Sequence, residues 1–140
     1  MPVGMTLFEV GLTVTVIGVL AAAAAPRFGA YRDRLAVDAA ATSTMSILAA
    51  ARHVAQRRAL AATVRFDTAT ATILVMSGRD TLERRPLGEV HGVRLASTRD
   101  SIALAPSGLG YGAANTQVVI RRNAAADTIA VSRLGRARRQ

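Results

Sequence analysis

The feature that most constrains this chain is a long apolar segment near its start, with one carboxylate just inside its edge. Between Leu7 and Ala25 the only charged residue is Glu9. As an α-helix rising about 1.5 Å per residue, this segment would be about 28 Å long, close to the roughly 30 Å hydrocarbon core of a bilayer. A carboxylate in such a segment is costly in lipid, so Glu9 is a candidate functional residue for which a cationic partner should exist.

Two simpler interpretations of this segment are open. A secretory signal peptide could be cleaved at the Ala23-x-Ala25 pattern, although no basic residue precedes the apolar part and Glu9 lies within it. A plain single-pass anchor would use Glu9 only to balance the positive end of the helix dipole. Neither interpretation explains the residues that lead into the segment, Gly4-Met5-Thr6-Leu7.

These leading residues resemble the start of the type IV pilin and pseudopilin superfamily. The motif is Gly4-Met5-Thr6-Leu7, then Glu9 and the apolar run, with Pro26 where these helices commonly carry a proline. The resemblance implies that a prepilin peptidase cleaves after Gly4 and that the new terminus, Met5, is N-methylated. It also implies that Glu9 pairs with the N-terminal amine of a neighbouring subunit during filament assembly.

The charges that flank the apolar segment bear on its orientation. The leader, residues 1–4, has no basic residue, whereas Arg27, Arg32 and Arg34 follow the segment. The positive-inside rule alone would place these arginines in the cytoplasm. The resembled superfamily places them outside, and we follow it. The expectation is a single-pass protein of the bacterial inner membrane, with its C-terminal domain in the periplasm, as part of a pilus or pseudopilus.

After Pro26 the sequence predicts that the helix continues, with a bend but no stop at the proline. Apolar side chains recur at steps of mostly three or four, which predicts a helical face that docks on a sheet. The predicted stripe comprises Phe28, Tyr31, Leu35, Thr42, Met45, Leu48 and Ala49, widened by Ile47, Ala51, Val54 and Ala55. We therefore expect a transmembrane half at 5–26 and an amphipathic half at 27–60.

From Ala62 onward the pattern changes to short alternating runs with close turns, which favours antiparallel strands. The predicted strands cover 63–66, 70–76, 81–87, 93–96, 101–104, 117–121 and 128–132, and the last two form a hairpin. Pro86 weakens the third strand, and 134–140 is a basic tail. The predicted fold class is α+β: a long N-terminal helix packed on a small antiparallel sheet or sandwich at 61–140.

Motifs in the second half resemble the GspH/FimT pseudopilin domain. They are Leu104-x-Pro106-x-Gly108, where the family often has Phe first, and the closing Gly135-Arg136-x-Arg138. The resemblance implies a minor pseudopilin of the type II secretion system, at or near the filament tip. The alternative is a type IV pilus minor pilin that binds DNA for uptake through Gly135, Arg136 and Arg138. For this tail we favour a solvated terminal strand in which Gly135 forms a bulge or turn.

Composition restricts the chemistry further. The chain has 18 basic and 9 acidic residues, a net charge of +9, and all its basic residues are arginines. This arginine content fits either an anionic partner or the codon bias of a GC-rich genome. There is no Cys, no metal-binding His spacing, and no nucleophile elbow. The glycine-rich loop at 108–112 is followed by no helix pattern, so we expect a turn between strands and not a phosphate site.

From these patterns we predict no enzyme activity, cofactor or metal. The predicted partners are other pilins or pseudopilins, the prepilin peptidase and the inner membrane, with DNA as the alternative partner.

Overall fold

The computed structural model describes residues 5–111 and 116–140, and it divides into two compact units. The first contains the chain up to Arg32, and the second runs from Asp33 to Gln140. One helix, α1 (Leu7–Arg58), forms the first unit and supplies the opening element of the second. Pro26 lies inside α1, which confirms that the proline does not end the helix.

The second unit contains two antiparallel sheets. Its strands are β1 (Ala62–Asp67), β2 (Thr72–Ser77), β3 (Asp80–Pro86), β4 (Arg94–Ser97), β5 (Ser101–Leu104), β6 (Gly110–Tyr111), β7 (Thr116–Arg122), β8 (Ala125–Val131) and β9 (Ala137–Arg139), and a short helix, α2 (Leu87–His91), precedes β4. One sheet has the order β3-β2-β1-β5-β6 and the other has the order β4-β7-β8-β9. The predicted α+β class, with a helix packed on antiparallel sheets, is confirmed.

Alternation of apolar and polar residues fixes which face of each strand is buried. In β7, Val118 and Ile120 are fully buried, whereas Gln117 and Arg121 beside them are exposed. This strand pairs with β8 over seven positions, from Thr116 opposite Val131 to Arg122 opposite Ala125. The predicted closing hairpin is therefore confirmed, with both strands longer than the sequence pattern indicates.

The second half of α1 and the inner faces of both sheets share one hydrophobic core. Its largest fully buried apolar side chains are Ile47 from the helix, Val64, Ile73, Val75 and Ile102 from the five-stranded sheet, Val118, Ile120 and Ile129 from the four-stranded sheet, and Leu87 from α2. Each such side chain contributes about 1.5–3 kcal/mol by leaving water. The helix therefore belongs to the folded core of this unit.

The face of α1 that enters this core differs from the predicted stripe. Leu48, Ile47, Ala51 and Ala55 are buried as predicted, and Met45 is partly buried. Phe28, Tyr31 and Leu35 are 65%, 59% and 50% exposed. Thr42 and Ala49 are exposed as well, so these five assignments were wrong. The buried face instead contains Val37, Ala40, Ala41 and Thr44. Small side chains allow the helix axis to approach the sheets closely, and a pattern based on large apolar residues does not register them.

Buried Thr44 shows how a polar residue is accommodated on this close-packed face. Its hydroxyl donates a hydrogen bond of 2.8 Å to the carbonyl of Ala40, one turn earlier in the helix. The side chain therefore satisfies its own donor and presents only its methyl group to the core.

Ion pairs also connect α1 with the four-stranded sheet. Arg122 Nε lies 2.9 Å from Asp33 Oδ1, and Asn123 Nδ2 donates to Asp33 Oδ2 at 2.8 Å. Arg139 of β9 contacts both Asp38 on the helix, at 2.5 Å, and the buried Asp127 of β8. The hydrogen bond with Asp38 is the main reason why the pKa of Arg139 is raised above its usual value. Arg139 therefore has a structural role in the tail.

Three short elements, α2, β6 and β9, were not predicted from the sequence. The predicted strand 81–87 ends at Pro86, and Leu87 begins α2. Pro86 is tolerated because β3 is an edge strand, where one missing N–H leaves no partner unpaired. The strand β6 lies inside the glycine-rich loop expected at 108–112, of which Gly112 is outside the described residues. The basic tail contains β9, which pairs with β8.

Candidate functional site

The first functional feature, close to Met5 where the described residues begin, is a helix cap. The backbone N–H of Thr6 donates to Glu9 Oε2 at 2.8 Å, and the N–H of Glu9 donates in return to Thr6 Oγ1 at 3.3 Å. The Thr6 hydroxyl also donates to Glu9 Oε2 at 2.9 Å. This is a capping box, in which residues three positions apart satisfy each other's free donors at a helix start. The Thr-x-x-Glu pattern of the sequence therefore has a local structural role.

The cap uses only one of the two carboxylate oxygens of Glu9. Among the described residues, Glu9 Oε1 accepts no hydrogen bond. Met5, directly before the cap, is 66% exposed. Gly4, the predicted cleavage residue, lies outside the described residues. The arrangement holds the Glu9 side chain back against the start of the helix with one oxygen available to an external cation.

After the cap, α1 has apolar side chains on all its faces, and no other described element of its own unit covers them. An 18-residue window has a mean hydropathy of 2.1, and none of it is buried. By length and composition α1 is long and apolar enough to cross a membrane. The hydroxyls of Thr13 and Thr15 donate to the carbonyls of Glu9 and Gly11, each at 2.8 Å. These polar groups are therefore satisfied within the helix, as a hydrocarbon environment requires.

The second functional feature is an open groove of about 560 Å³ in the β-sheet unit, which we call the arginine groove. It is lined by Met45, Leu48, Ala49, Arg52, His53 and Gln56 from α1, and by Gly135, Arg136, Ala137 and Arg138 from the chain's end. Within the described part of the chain, no carboxylate lines this groove, and the side chains of Arg52, Arg136 and Arg138 form no ion pair. The electrostatic field of the groove therefore attracts anions.

Two glycine turns, distant in sequence, shape one end of this groove. Gly108 and Gly135 both have positive φ, of 79° and 67°. A Cβ at Gly135 would lie 2.8 Å from the carbonyl oxygen of Gly108, and a Cβ at Gly108 would lie 2.9 Å from Arg52 Nε. The N–H of Gly110 donates to the carbonyl of Arg133 at 3.2 Å. The Leu104-x-Pro106-x-Gly108 and Gly135-Arg136-x-Arg138 motifs therefore meet in space and pack close to α1.

The turn at Gly135 directs the chain into β9. The N–H of Gly135 donates to the carbonyl of Ser132 at 2.9 Å, and the N–H of Ser132 donates to the carbonyl of Arg136 at 2.9 Å. Gly135 therefore forms a turn, one of the two conformations expected for it, and a terminal strand follows. Alternation along β9 places Ala137 and Arg139 on the core side, opposite buried Val131 and Ile129. Arg136 and Arg138 are exposed.

The polar residues on the helical side of the groove were not predicted from the sequence. Arg52 and Gln56 are four residues apart and lie next to the buried Ala51 and Ala55, so they share one border of the docking face. That spacing was the available signal for a shared polar border. It could not be used, because the buried face of an alanine-rich helix is determined by its packing on the sheets.

The described residues contain neither a metal site nor the phosphate-binding loop that was considered from the sequence. They contain no group of three or more His, Asp or Glu side chains that could hold a metal ion. The glycine-rich segment starting at Gly108 forms a turn that leads into β6, which confirms the prediction of a turn between strands.

The fold has solved counterparts, although the sequence matches no protein-family model and no curated protein. The type IV minor pilin FimU of Pseudomonas aeruginosa is similar, with a TM-score of 0.66 at 13% identity, over 76% of this chain and 90% of that one. The minor pseudopilin EpsH from the type 2 secretion system of Vibrio cholerae has a TM-score of 0.57 at 14% identity, over 74% and 95%. The chain therefore has the type IV pilin-like fold.

Proposed function

We propose that this chain is a minor pilin-like subunit of a membrane-anchored filament, in the first place the pseudopilus of a type II secretion system. The observation that carries the proposal is the capped start of α1: Thr6 and Glu9 form a capping box at the head of a helix that is apolar all round and unburied in its own unit. This helix is joined to a type IV pilin-like β-sheet unit. A filament of parallel subunits would bury such a helix among its copies.

In this proposal the helix is the assembly element. A prepilin peptidase cleaves after Gly4, and the methylated amine of Met5 becomes the terminus. Before assembly, the subunit is anchored in the inner membrane, with its β-sheet unit in the periplasm. During assembly the free Oε1 of Glu9 accepts the terminal amine of the adjacent subunit, because a carboxylate in an apolar environment requires a cationic partner. The work of the protein is assembly and partner contact.

The test is the incorporation of a Glu9→Val variant into filaments sheared from the cell. We expect membrane insertion to continue and incorporation to fall by roughly tenfold or more, because removing one member of a buried ion pair costs about 3–5 kcal/mol. Glu89→Val is the matched control, since Glu89 is an exposed acid on α2. Wild-type incorporation of Glu9→Val would contradict the pairing.

A second candidate function, a type IV pilus minor pilin that contacts DNA, is favoured by the arginine groove. Arg136 and Arg138 converge there with Arg52, and the described lining residues include no carboxylate. Guanidinium groups suit bidentate phosphate contacts. The same lining residues include no Phe, Tyr or Trp and a single amide, Gln56. We therefore expect binding through phosphates with little sequence preference.

The second function is tested by titrating the chain from Phe28 onward with double-stranded DNA at several salt concentrations. DNA uptake predicts that Arg136→Ala/Arg138→Ala lowers affinity far more than Arg84→Ala/Arg94→Ala, which removes the same charge from exposed sites outside the groove. The slope of log K against log salt should become shallower by about 0.9 for each phosphate that the variant no longer neutralises. Equal reductions of affinity in both variants would mean that only net charge matters, and the secretion function would stand.

A cell lacking this chain separates the two functions directly. Loss of protein secretion with normal DNA uptake supports the pseudopilus, and the reverse result supports the DNA-contacting pilin.

A further inference from the structure

A second feature of the first unit lies at the other end of its apolar segment. Arg27, Phe28, Tyr31 and Arg32 follow Pro26 on α1, and we call them the collar. With about 100° between successive residues, Tyr31 and Phe28 lie about 40° and 100° from Arg27 around the helix, and Arg32 lies about 140° from it. The two aromatic rings are therefore bracketed by the two arginines on one side of the helix.

The collar is exposed in its own unit. Phe28 is 65% exposed and Tyr31 is 59% exposed, and a shallow apolar groove runs from Leu20 past Ala24 to Tyr31 beside Arg27. Among the described residues, neither Arg27 nor Arg32 forms an ion pair. Asp33, the next acidic residue in sequence, has Arg122 as its ion-pair partner. The collar arginines therefore keep their charge available for an external anion.

The length of the apolar segment places the collar at a membrane surface. The residues between Glu9 and Arg27 would span about 26 Å as a helix, nearly the thickness of the hydrocarbon core. When these residues fill the core, Glu9 lies at one interface and the collar lies in the headgroup layer of the opposite leaflet. Aromatic rings favour that layer, and arginine side chains extend their charged groups into it.

We infer that the collar is a binding site for anionic phospholipid headgroups, used while the subunit waits in the bilayer before assembly. This inference rests on the proposed membrane anchoring and adds a lipid partner to it. Arg27 and Arg32, about 140° apart around the helix, are spaced to contact two separate headgroup phosphates. Phe28 and Tyr31, between them, pack among the acyl chains near the surface. Anionic headgroups match the collar's uncompensated charge of two arginines, which zwitterionic headgroups do not.

The test uses the full chain purified from membranes in mild detergent and mixed with equal amounts of phosphatidylglycerol and phosphatidylcholine. Native mass spectrometry counts the lipids of each kind that stay bound. We expect a preference for phosphatidylglycerol of roughly tenfold or more, because each arginine near an anionic surface adds about fivefold. Arg27→Gln/Arg32→Gln should bring the ratio close to one, whereas Arg27→Lys/Arg32→Lys should retain most of the preference.

The matched control, Arg84→Gln/Arg94→Gln, removes two exposed arginines from the β-sheet unit and should leave the ratio unchanged. An equal fall of the ratio in the control and in the collar variant would overturn the inference, and so would a wild-type ratio of one. Failure of the proposed membrane anchoring, on which this inference rests, looks different: the chain would then be absent from the membrane fraction. Recovery from membranes without a lipid preference overturns the collar site alone.

Discussion

At the scale of single residues, the glycine at the end of the chain combines two requirements that can be separated experimentally. Gly135 has a φ of 67°, and any Cβ there would lie 2.8 Å from the carbonyl oxygen of Gly108. Gly78, in the turn between β2 and β3, has a φ of 63° with open space around it. The pair therefore distinguishes backbone conformation from close packing of the two glycine turns.

We predict that Gly78→Ala costs about 1 kcal/mol of stability, the penalty for a left-handed backbone alone. Gly135→Ala should cost a further 1–3 kcal/mol or so, because a backbone carbonyl must shift to admit the methyl group. Urea unfolding of the chain from Phe28 onward measures both. Equal costs would mean that the motifs at Gly108 and Gly135 do not pack as described.

The cap was readable from residue spacing although it was not predicted, and only half of the groove was predicted. Thr6 and Glu9 are three positions apart, and a capping box depends only on that local spacing. Arg136 and Arg138 were predicted as a possible anion site from a motif. Arg52 could not be added to them, because its proximity depends on a contact between the helix and the chain's end across most of the sequence.

At the scale of elements, α1 shows why large apolar residues are an incomplete guide to packing. Ala40, Ala41, Ala51 and Ala55 are fully buried, whereas Leu35 is half exposed. Close approach of a helix to a sheet favours small side chains at the contact, and a chain so rich in alanine presents them on every face. The existence of the helix and part of its buried face were predictable from composition and spacing, and the small residues that complete this face were not.

The corrected face gives a prediction with a neighbouring control. Ala51→Leu should destabilise the β-sheet unit by about 1–3 kcal/mol, because Ala51 is fully buried and extra volume strains a packed core. Ala49→Leu should change stability by less than about 0.5 kcal/mol, because Ala49 is exposed. Thermal and urea unfolding of both variants tests this. A larger cost at Ala49 than at Ala51 would restore Ala49 to the buried face, where the sequence pattern had placed it.

At the scale of the whole molecule, the helix contributes to two environments. Its first half has no buried residue in its own unit, and its second half supplies eight buried residues to the core of the other. Seven of the nine strands in the described residues were predicted from the alternation, and the two shortest, β6 and β9, were not. The division of the strands into two sheets was not predicted, because strand order depends on long-range pairing such as β1 with β5.

This division of α1 predicts different outcomes for two truncated chains. A chain that begins at Phe28 keeps Val37, Ile47 and the rest of the buried face, so it should be soluble, monomeric and cooperatively folded. A chain that begins at Ala61 would expose the core face of both sheets and should aggregate. Identical unfolding curves for the two would show that the helix does not stabilise the sheets.

The central claim is that this is a filament subunit processed at its N-terminus, and mass spectrometry of the mature N-terminus tests it most directly. The protein is extracted from membranes of cells that contain the filament system. Cleavage after Gly4 predicts a terminus at Met5 that carries a methyl group. A terminus at Pro26 would instead identify a secretory signal peptide, and with it α1 could be neither a membrane anchor nor an assembly element.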